Sequence, residues 1–390
     1  MKLALCLEYP IDQHGGTEVL VSELIRGLGN KHQILLVSPD DNASLARSEA
    51  ARFVAQHISW QPQLVSIRSS RLLAERIAQA RPDLAHFHLG GNYAWGSRFF
   101  PQCPITHLCR LRIPCLSTNH GAFSITEGYC GSKRSWLVKA VLFLPVWLSK
   151  QAVLAHLQCE VTVSQHDYRA VRRWYPLMRG KFRQIYHSRI RDVEPPPALV
   201  DRSKTVLCAG TIGPRKGQTF LVEAFCHLAA KFPDWQLVLI GRAGDEAMMK
   251  RIRECITQHN AFSQVRLLGS CTDTELIEWL KQSAIFAMPS LQEGLGLSLQ
   301  EAQFYGCACV GTRCGGVEDL IQDDDNGLLV PAGQTAPLAE ALTKLMADAA
   351  LRQRFSVRGP KSVLEKGMTA EKMVAAYEQV YAEIIRSSDN

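Results

Sequence analysis

The sequence predicts an α/β protein of two open domains, each with a parallel sheet covered by helices. The chain has 390 residues, more than one ordinary domain, and its 46% hydrophobic and 21% charged residues suit a globular protein. Short apolar runs alternate with amphipathic helical patterns in both halves, as in βαβ units. Three consecutive prolines, Pro195, Pro196 and Pro197, separate the halves, because proline cannot continue a helix or a central strand.

The first half begins with an apolar run at residues 3–7. We interpret it as a buried strand and not a signal sequence, because the run is short and Glu8 interrupts it. The pattern then predicts helices at 18–28 and 71–80 and strands at 33–38, 84–88 and 115–118.

The alternation restarts after the prolines. Strands are predicted at 205–209, 236–240, 265–268, 285–288 and 308–311, and helices at 217–232 and 370–386. We therefore expect a first Rossmann-like domain at 1–193 and a second at 200–368. The last helix, within 370–390, is expected to pack back on the first domain. Ligands of two such domains are expected in a cleft at the carboxyl ends of the strands.

The cysteines and the apolar runs indicate the cellular compartment in which the protein is expected. The 13 cysteines are scattered, with no pair of Cys-x2-Cys clusters that would indicate zinc, so we expect thiols in a reducing, cytoplasmic compartment. The longest apolar stretch near mid-chain, 140–148, contains Pro145 and is far shorter than the roughly 20 residues that span a bilayer. No transmembrane helix is expected.

Charge is unevenly distributed. Residues 1–195 carry 24 Lys and Arg against 14 Asp and Glu, a net charge of +10, whereas the remainder carries −3. Such a field attracts anionic membranes or phosphorylated acceptors, although a solvated basic face is an equal alternative. Nucleic acid is disfavoured because no binding motif accompanies the charge. The basic residues include Lys133, Arg134, Lys139, Lys150, Arg169, Arg172, Arg173, Arg179, Lys181, Arg183, Arg189 and Arg191.

The most specific segment is 289–302, where a strand, a glycine-containing turn and a helix follow one another. The glycines allow the backbone to approach a ligand, and the helix N-terminus offers amides to phosphate. Two carboxylates eight residues apart can accept hydrogen bonds from sugar or ribose hydroxyls. The alternative is a glycine-rich turn with two solvated glutamates. The candidate residues are Glu293, Gly294, Leu295, Gly296, Leu297, Ser298 and Glu301.

A second candidate site follows the predicted strand at 205–209. Arg215 and Lys216 lie beside a helix start and could bind an anion, although an ordinary basic helix start is the alternative. No Asp-x-Asp site is well placed for a metal ion. The acidic run 323–325 is interpreted as a solvated turn, whose carboxylates have no role beyond keeping it in contact with water.

Single residues at other predicted strand ends give weaker signals. Gly15 and Gly16 form a tight turn that can also present amides to a phosphate, and Gly241 follows a second-half strand. His120 follows the strand at 115–118, where it could donate to a sugar or acceptor oxygen. Structural roles are preferred for three further histidines, which are His14, His86 and His88.

The segment 289–302 resembles the Glu-x7-Glu signature of retaining glycosyltransferases of the GT-B fold. These enzymes form the large glycosyltransferase family 4, and the other motifs fit the same family. The segments 315–320 (GGVEDL) and 326–331 (NGLLVP) resemble the loops that follow that signature. The sequence departs from the family at 186–188, where Tyr-His-Ser replaces the usual Asn-Gly. It departs again at 306–308, where Gly-Cys-Ala replaces Gly-x-Pro.

The resemblance implies a GT-B fold and a role for each candidate. Glu293 would contact donor-sugar hydroxyls and stabilise positive charge at the anomeric carbon, and Glu301 would hold the donor ribose. Arg215 and Lys216 would bind the donor diphosphate and stabilise the leaving group. His120 would be the active-site histidine. Main-chain contacts would come from Gly15, Gly16, Gly241 and the residues from Gly294 to Ser298.

The implied activity is transfer of a sugar from a UDP- or GDP-sugar to an acceptor hydroxyl, with retention, in envelope polysaccharide, lipopolysaccharide or other glycan synthesis. No metal and no cofactor are expected. Aromatic and basic residues in 121–150 suggest a lipid-linked or phosphorylated acceptor at a membrane surface, although a helix packed on its own sheet explains them equally well. The rivals are a nucleotide-sugar epimerase or hydrolase of the same fold, a nicotinamide oxidoreductase and a non-catalytic sugar-nucleotide binder; the absence of Gly-x-Gly-x-x-Gly disfavours the oxidoreductase.

Overall fold

The chain divides into two compact units. The computed structural model describes residues 1–11, 15–60, 66–89, 103–121, 136–191, 194 and 202–388. One unit combines Met1–Arg191 with Thr369–Asn390, and the other is Asp192–Met368. The three prolines that predict a linker lie outside the described residues.

The first unit has a parallel sheet with the strand order β3-β2-β1-β4-β5-β6-β7 among its described residues. Its central strands are buried on both faces because helices cover both sides. The strands are β1 (Lys2–Cys6), β2 (Gln33–Ser38), β3 (Val54–Ser59), β4 (Leu84–Leu89), β5 (Cys115–Asn119), β6 (Cys159–Thr162) and β7 (Phe182–Gln184). The helices are α1 (Gly16–Leu28), α2 (Asn42–Arg47), α3 (Ile67–Gln79), α4 (Pro104–Arg110), α5 (Trp136–His156) and α6 (Gln165–Trp174).

The second unit repeats this architecture with the strand order β10-β9-β8-β11-β12-β13. The strands are β8 (Ser203–Ala209), β9 (Gln236–Ile240), β10 (Val265–Gly269), β11 (Ser283–Met288), β12 (Ala308–Thr312) and β13 (Leu328–Val330). The helices are α7 (Gln218–Leu228), α8 (Glu246–Gln258), α9 (Asp273–Gln282), α10 (Leu297–Phe304), α11 (Val317–Leu320), α12 (Thr335–Ala347) and α13 (Ala349–Glu365). In both sheets the order changes direction beside the first strand, where α/β folds bind ligands.

The final helix, α14 (Ala370–Ser388), completes the first unit. It packs on α1, where a Cβ at Gly27 would come within 2.5 Å of the Val374 side chain. Glu378 accepts hydrogen bonds from Lys31 at 3.0 Å, and the Ala370 amide donates to the carbonyl of Ile190 at 2.8 Å. The close packing of α14 on α1 therefore depends on the absence of a side chain at Gly27.

The predicted α/β class of two Rossmann-like domains with parallel sheets is confirmed. The strands predicted at 33–38 and 236–240 match β2 and β9 to the residue. Several short strands were not predicted, among them β3, β7 and β13. Among the described helices, none combines the length and the apolarity needed to cross a bilayer.

Candidate active site

The loop after β8 carries the two predicted cations and is bonded to the loop after β11. A short 3-10 helix, Pro214–Lys216, ends at Gly217 in the left-handed conformation. The carbonyl of Arg215 accepts a hydrogen bond from the amide of Leu291 at 2.7 Å. Because β8 and β11 are neighbours in the sheet, their carboxyl ends bring these loops together.

Lys216 and Glu293 form an ion pair at this edge. The Nζ atom of Lys216 lies 2.7 Å from Oε2 of Glu293, and Ser290 donates to the same oxygen at 3.2 Å. The Lys216 side chain is 33% exposed and that of Glu293 is 14% exposed. An ammonium group has three donors, so Lys216 can hold Glu293 and still donate to a phosphate oxygen.

Glycines are required where these loops touch. Gly217 has φ +64°, and a Cβ there would overlap the carbonyl oxygen of Pro289. Gly315 has φ +49°, and a Cβ there would overlap the carbonyl oxygen of Glu293. The Gly316 amide donates to that same carbonyl at 3.3 Å. The Gly-Gly loop therefore supports the backbone that holds Glu293.

Helix α10 begins at the same edge. Gly296, with φ +97°, is the N-cap residue of α10. The amides of Leu297 and Ser298 are the first two in the helix. The first amides of a helix lack intrahelical partners, which makes this end suitable for an anion. The Ser298 hydroxyl donates to the carbonyl of Ala209 at the end of β8, at 3.1 Å. The two predicted carboxylates are placed differently, since Glu301 lies on α10 and is only 4% exposed.

Gly241 joins the same group of loops from β9. Its φ is +150°, and a Cβ there would overlap the carbonyl oxygen of Gly210. The Ile212 amide donates to the carbonyl of Arg242 at 2.9 Å, and the Gly244 amide donates to the carbonyl of Ile212 at 3.0 Å. The second unit thus brings the loops after β8, β9 and β11 to one sheet edge, with the predicted residues on them.

The first unit carries its predicted residues at the ends of β1 and β5. Gly15 is the N-cap of α1 with an extended backbone, and Gly16 is the first helical residue. A Cβ at Gly15 would meet only the carboxylate end of the Glu18 side chain, and the φ of −100° suits any residue. His120 directly follows β5, and its amide donates to the carbonyl of Leu89 at 3.1 Å. His14 lies outside the described residues.

His120 is half-buried and hydrogen-bonded to His88. Its Nε2 lies 3.1 Å from Nδ1 of His88, so one ring donates and the other accepts. Burial lowers the pKa of His120 to about 3. Burial also lowers the pKa of His88 well below its ordinary value, with further lowering by neighbouring histidines. Both rings are therefore neutral near pH 7.

A buried polar network continues behind this pair. His86 has Nδ1 2.8 Å from the Tyr381 hydroxyl and Nε2 2.8 Å from the Thr118 hydroxyl. Thr118 bonds the Tyr377 hydroxyl at 2.7 Å, which in turn lies 2.7 Å from Nε2 of His187. The network therefore ties β4, β5 and the segment of His187 to α14.

Sequence reasoning gave no role in this network to His187, Tyr377 or Tyr381. His187 was noted only as a departure from the family's Asn-Gly, yet its ring centroid lies 5.2 Å from that of His120. Tyr377 lies 190 residues from His187 in sequence, within the amphipathic pattern that predicts the last helix. The replacement of Asn-Gly was a signal for His187 alone, and nothing near it in sequence pointed to Tyr377 as its partner.

Two interpretations of charged residues are wrong. Lys150, counted among surface cations, is buried and lies 2.5 Å from Glu160, so it contributes no surface charge. The acidic run does not merely solvate its turn, because each carboxylate pairs with an arginine. The pairs are Asp323 with Arg313, Asp324 with Arg354 and Asp325 with Arg358.

The predicted acceptor segment is only partly described. Phe123, Tyr129, Lys133 and Arg134 lie outside the described residues. On α5, the Trp147 indole donates to the carbonyl of Trp174 at 2.8 Å and is held in the unit. An exposed apolar surface lies along the N-terminal part of α5. It comprises Trp136, Leu137, Val141, Phe143, Leu144 and Leu148.

Two family models match the chain. The model described as glycosyl transferases group 1 matches residues 191–362, and the model described as glycosyltransferase family 4 matches residues 14–188. Together they leave unmatched only 1–13, 189–190 and 363–390.

Curated relatives align over a smaller part. Phosphatidyl-myo-inositol mannosyltransferase of Mycobacterium leprae is 30% identical over 181 residues, which are 45% of this chain and 47% of that protein. N-acetyl-alpha-D-glucosaminyl L-malate synthase of Bacillus anthracis is 31% identical over 170 residues, which are 44% of this chain and 43% of that protein. The chain thus spans somewhat under half of the length of these curated relatives.

Solved structures show the same fold over nearly the whole chain. Sucrose-phosphate synthase of Thermosynechococcus elongatus has a TM-score of 0.77 at 19% identity, covering 99% of this chain and 100% of that one. Anabaena HepE in complex with UDP has a TM-score of 0.76 at 15% identity, covering 98% and 100%. With the two family matches and this shared GT-B fold, the chain belongs to the group 1 glycosyl transferases.

Proposed function

We propose that this protein transfers a sugar from a nucleoside-diphosphate sugar to an acceptor hydroxyl, with retention of configuration. The observation that carries the proposal is the pairing of Lys216 with Glu293, 2.7 Å apart, beside the N-terminus of α10. A cation, a carboxylate and a helix N-terminus at one sheet edge suit a ligand that has both phosphate and hydroxyl groups. The UDP complex of Anabaena HepE supports a nucleotide donor.

The second unit would bind the donor. Arg215 is exposed and Lys216 partly exposed, so both can reach the diphosphate. With the amides that open α10, they would neutralise the charge that grows on the departing nucleoside diphosphate, which is electrostatic catalysis and needs no metal ion. Glu293 would contact the sugar hydroxyls and the anomeric centre. Glu301 would hold the ribose, and the loop of Gly241 would line the base.

The first unit would contribute His120 and the turn at Gly15 and Gly16. The neutral ring of His120 can donate to or accept from a sugar or acceptor oxygen, and His88 fixes its orientation. The amides near Gly15 and Gly16 would meet the diphosphate. In the retaining mechanism that the family resemblance implies, the acceptor attacks from the face that the phosphate leaves, and the leaving phosphate oxygen takes the acceptor proton.

The acceptor would be a glycan or a lipid-linked molecule at the inner face of a membrane, in the cytoplasm. The exposed apolar side of α5 supports this assignment, since Trp136 is 74% and Val141 75% exposed. An apolar helix face beside a basic chain is suited to the interface of an anionic bilayer. Envelope polysaccharide and lipopolysaccharide synthesis both use acceptors of this kind.

A donor screen tests the proposal. The protein is mixed with a panel of UDP-, GDP- and ADP-sugars, and thermal shift and nucleoside diphosphate release are followed. One donor should stabilise the protein and be turned over, and Lys216→Ala and Glu293→Gln should lose turnover. Lys204→Ala, which removes an exposed lysine of the same unit, is the matched control. If no nucleotide sugar binds, the proposal fails.

Product analysis separates the rivals. An acceptor-dependent product with the donor's anomeric configuration, measured by NMR, supports a retaining transferase. An inverted product would overturn the retaining mechanism. Donor conversion that needs no acceptor other than water would instead identify an epimerase or hydrolase of the same fold.

A further inference from the structure

Two cysteines and a histidine meet between α7 and α8 of the second unit, where the first is buried, the second partly buried and the histidine exposed. They are Cys226 on α7, Cys255 on α8 and His259 just after α8. One ligand-type atom of each lies within 4.8 Å of those of the other two. The Cys255 sulfur is 3.8 Å from Nδ1 of His259.

This arrangement is close to that of a tetrahedral metal site. Zinc binds thiolate sulfur at about 2.3 Å and imidazole nitrogen at about 2.0 Å, which places bound ligand atoms about 3.5–3.8 Å apart. The separations observed here reach that range with small side-chain movements. His259 caps the C-terminal end of α8 four residues after Cys255, a spacing that places both on the same side of the helix.

The surroundings of His259 also suit a metal ligand. Its Nδ1, which lies 3.8 Å from the Cys255 sulfur, is also 3.0 Å from the carbonyl oxygen of Cys255, so Nδ1 would exchange this contact for the metal while Nε2 carries the proton. The ring of His227, the residue after Cys226, is 5.1 Å away between centroids. Both histidines are exposed, so the fourth position is open to water or to His227.

We propose that Cys226, Cys255 and His259 bind one zinc ion that joins α7 to α8. Thiolate and imidazole ligands together favour zinc over hard cations such as magnesium. Binding replaces the protons of the two thiols, so two protons leave for each ion bound, while the neutral imidazole donates a lone pair. No electron transfer is involved.

The zinc site is separate from the proposed donor site. Cys226 lies near the C-terminal end of α7, whereas Lys216 precedes its N-terminus. The helix has 11 residues and is therefore about 16 Å long. The metal would stabilise the packing of two helices and would not contact the donor.

Titration of reduced, metal-stripped protein with Zn²⁺ and with Co²⁺ tests the proposal. One ion should bind per chain, with release of two protons per zinc and with the thiolate-to-cobalt charge-transfer band that marks sulfur ligation. Cys255→Ser and His259→Ala should each lower the affinity for zinc at least about 10-fold, because even loss of a group that only orients a ligand costs roughly 10–100-fold. Cys271→Ser removes a cysteine outside the cluster and should bind as the parent does.

Other results would overturn the site. A cobalt complex without the charge-transfer band excludes the cysteines as ligands, and unchanged affinity in both variants places the ion elsewhere. The two variants alter partly exposed or exposed side chains, so thermal unfolding without metal should match that of the parent. Donor binding should also survive in both, which separates a failure here from a failure of the proposed transferase function.

Discussion

The Nζ atom of Lys216 lies 2.7 Å from Oε2 of Glu293, across two loops that follow neighbouring strands of one sheet. The pair places a cation and an anion where a phosphate and a sugar hydroxyl could bind side by side. Each residue then has two tasks, because it also positions the other.

Removing one member of the pair should therefore impair the chemistry more than the fold. Lys216→Ala should lower kcat by about 10²–10³-fold, the usual cost of losing one charge-stabilising donor. Glu293→Gln keeps the shape but loses the charge, and should lower kcat while the melting temperature stays near that of the parent. Steady-state kinetics beside thermal unfolding measures both. A K216A enzyme with unchanged kcat would remove the residue from the mechanism.

The backbone beside this pair should be intolerant of any side chain. Gly217→Ala combines a positive φ with overlap against Pro289 and should cost about 1–3 kcal/mol of unfolding free energy. Gly213→Ala, in the same loop, is the control, because its backbone is extended and a Cβ there meets no atom within 4 Å. Denaturant unfolding of both variants measures the difference. Equal stability would contradict the strain argument.

The histidine network should make the first unit sensitive to acid. Burial keeps His120 neutral in the folded chain down to a pKa of about 3, whereas an unperturbed histidine titrates near 6.5. Below pH 6.5 the unfolded chain binds more protons, so stability is complete above that pH and falls as the pH drops. The slope is up to about 1.4 kcal/mol per pH unit for each ring held neutral. Unfolding at pH 7.5 and 5 measures it, and His120→Asn should reduce the slope.

The buried ion pair of Lys150 and Glu160 predicts a different kind of mutational effect. Lys150→Met leaves the Glu160 carboxylate buried beside only the Ser117 hydroxyl and should cost about 3–5 kcal/mol. The double change Lys150→Met with Glu160→Leu removes both charges and should recover most of that loss. Unfolding free energies of the three proteins form the test. A double variant as unstable as the single one would show that packing, and not charge, dominates.

Membrane binding should depend on the exposed side of α5. Trp136→Ser combined with Val141→Ser should reduce sedimentation with anionic vesicles, because the apolar area that enters the interface is lost. Leu177→Ser is the matched control, since it removes a side chain of the same unit that is 81% exposed. Parent protein that fails to bind anionic vesicles even at low salt would contradict the membrane proposal.

The sequence predicted what local patterns determine. Strands β2 and β9 were predicted to the residue because each is an apolar run between clear boundaries. Strand β3, Val54–Ser59, was missed because it is an edge strand with mostly solvent-facing or partly exposed side chains, which leaves no apolar run.

Pairings between distant residues left no local signal. Lys150 looked like a surface cation because nothing near it in sequence shows that Glu160 meets it in the interior. The bond between His187 and Tyr377 likewise depends on how the last helix returns to the first unit. By contrast, the loops at 210–217 and 289–298 were predicted as sites because the glycines and the charged residues of each loop lie close together in the sequence.

The return of α14 also has a consequence for synthesis of the chain. Tyr377 and Tyr381 supply hydroxyls to the interior of the first unit, and both are translated only after the whole second unit. At ribosomal rates of about 5–20 residues per second, the first unit waits roughly ten to forty seconds for its last helix. The nascent chain therefore carries an incomplete first unit while the second unit can already fold. The first unit is the first to be synthesised and the last to complete its fold.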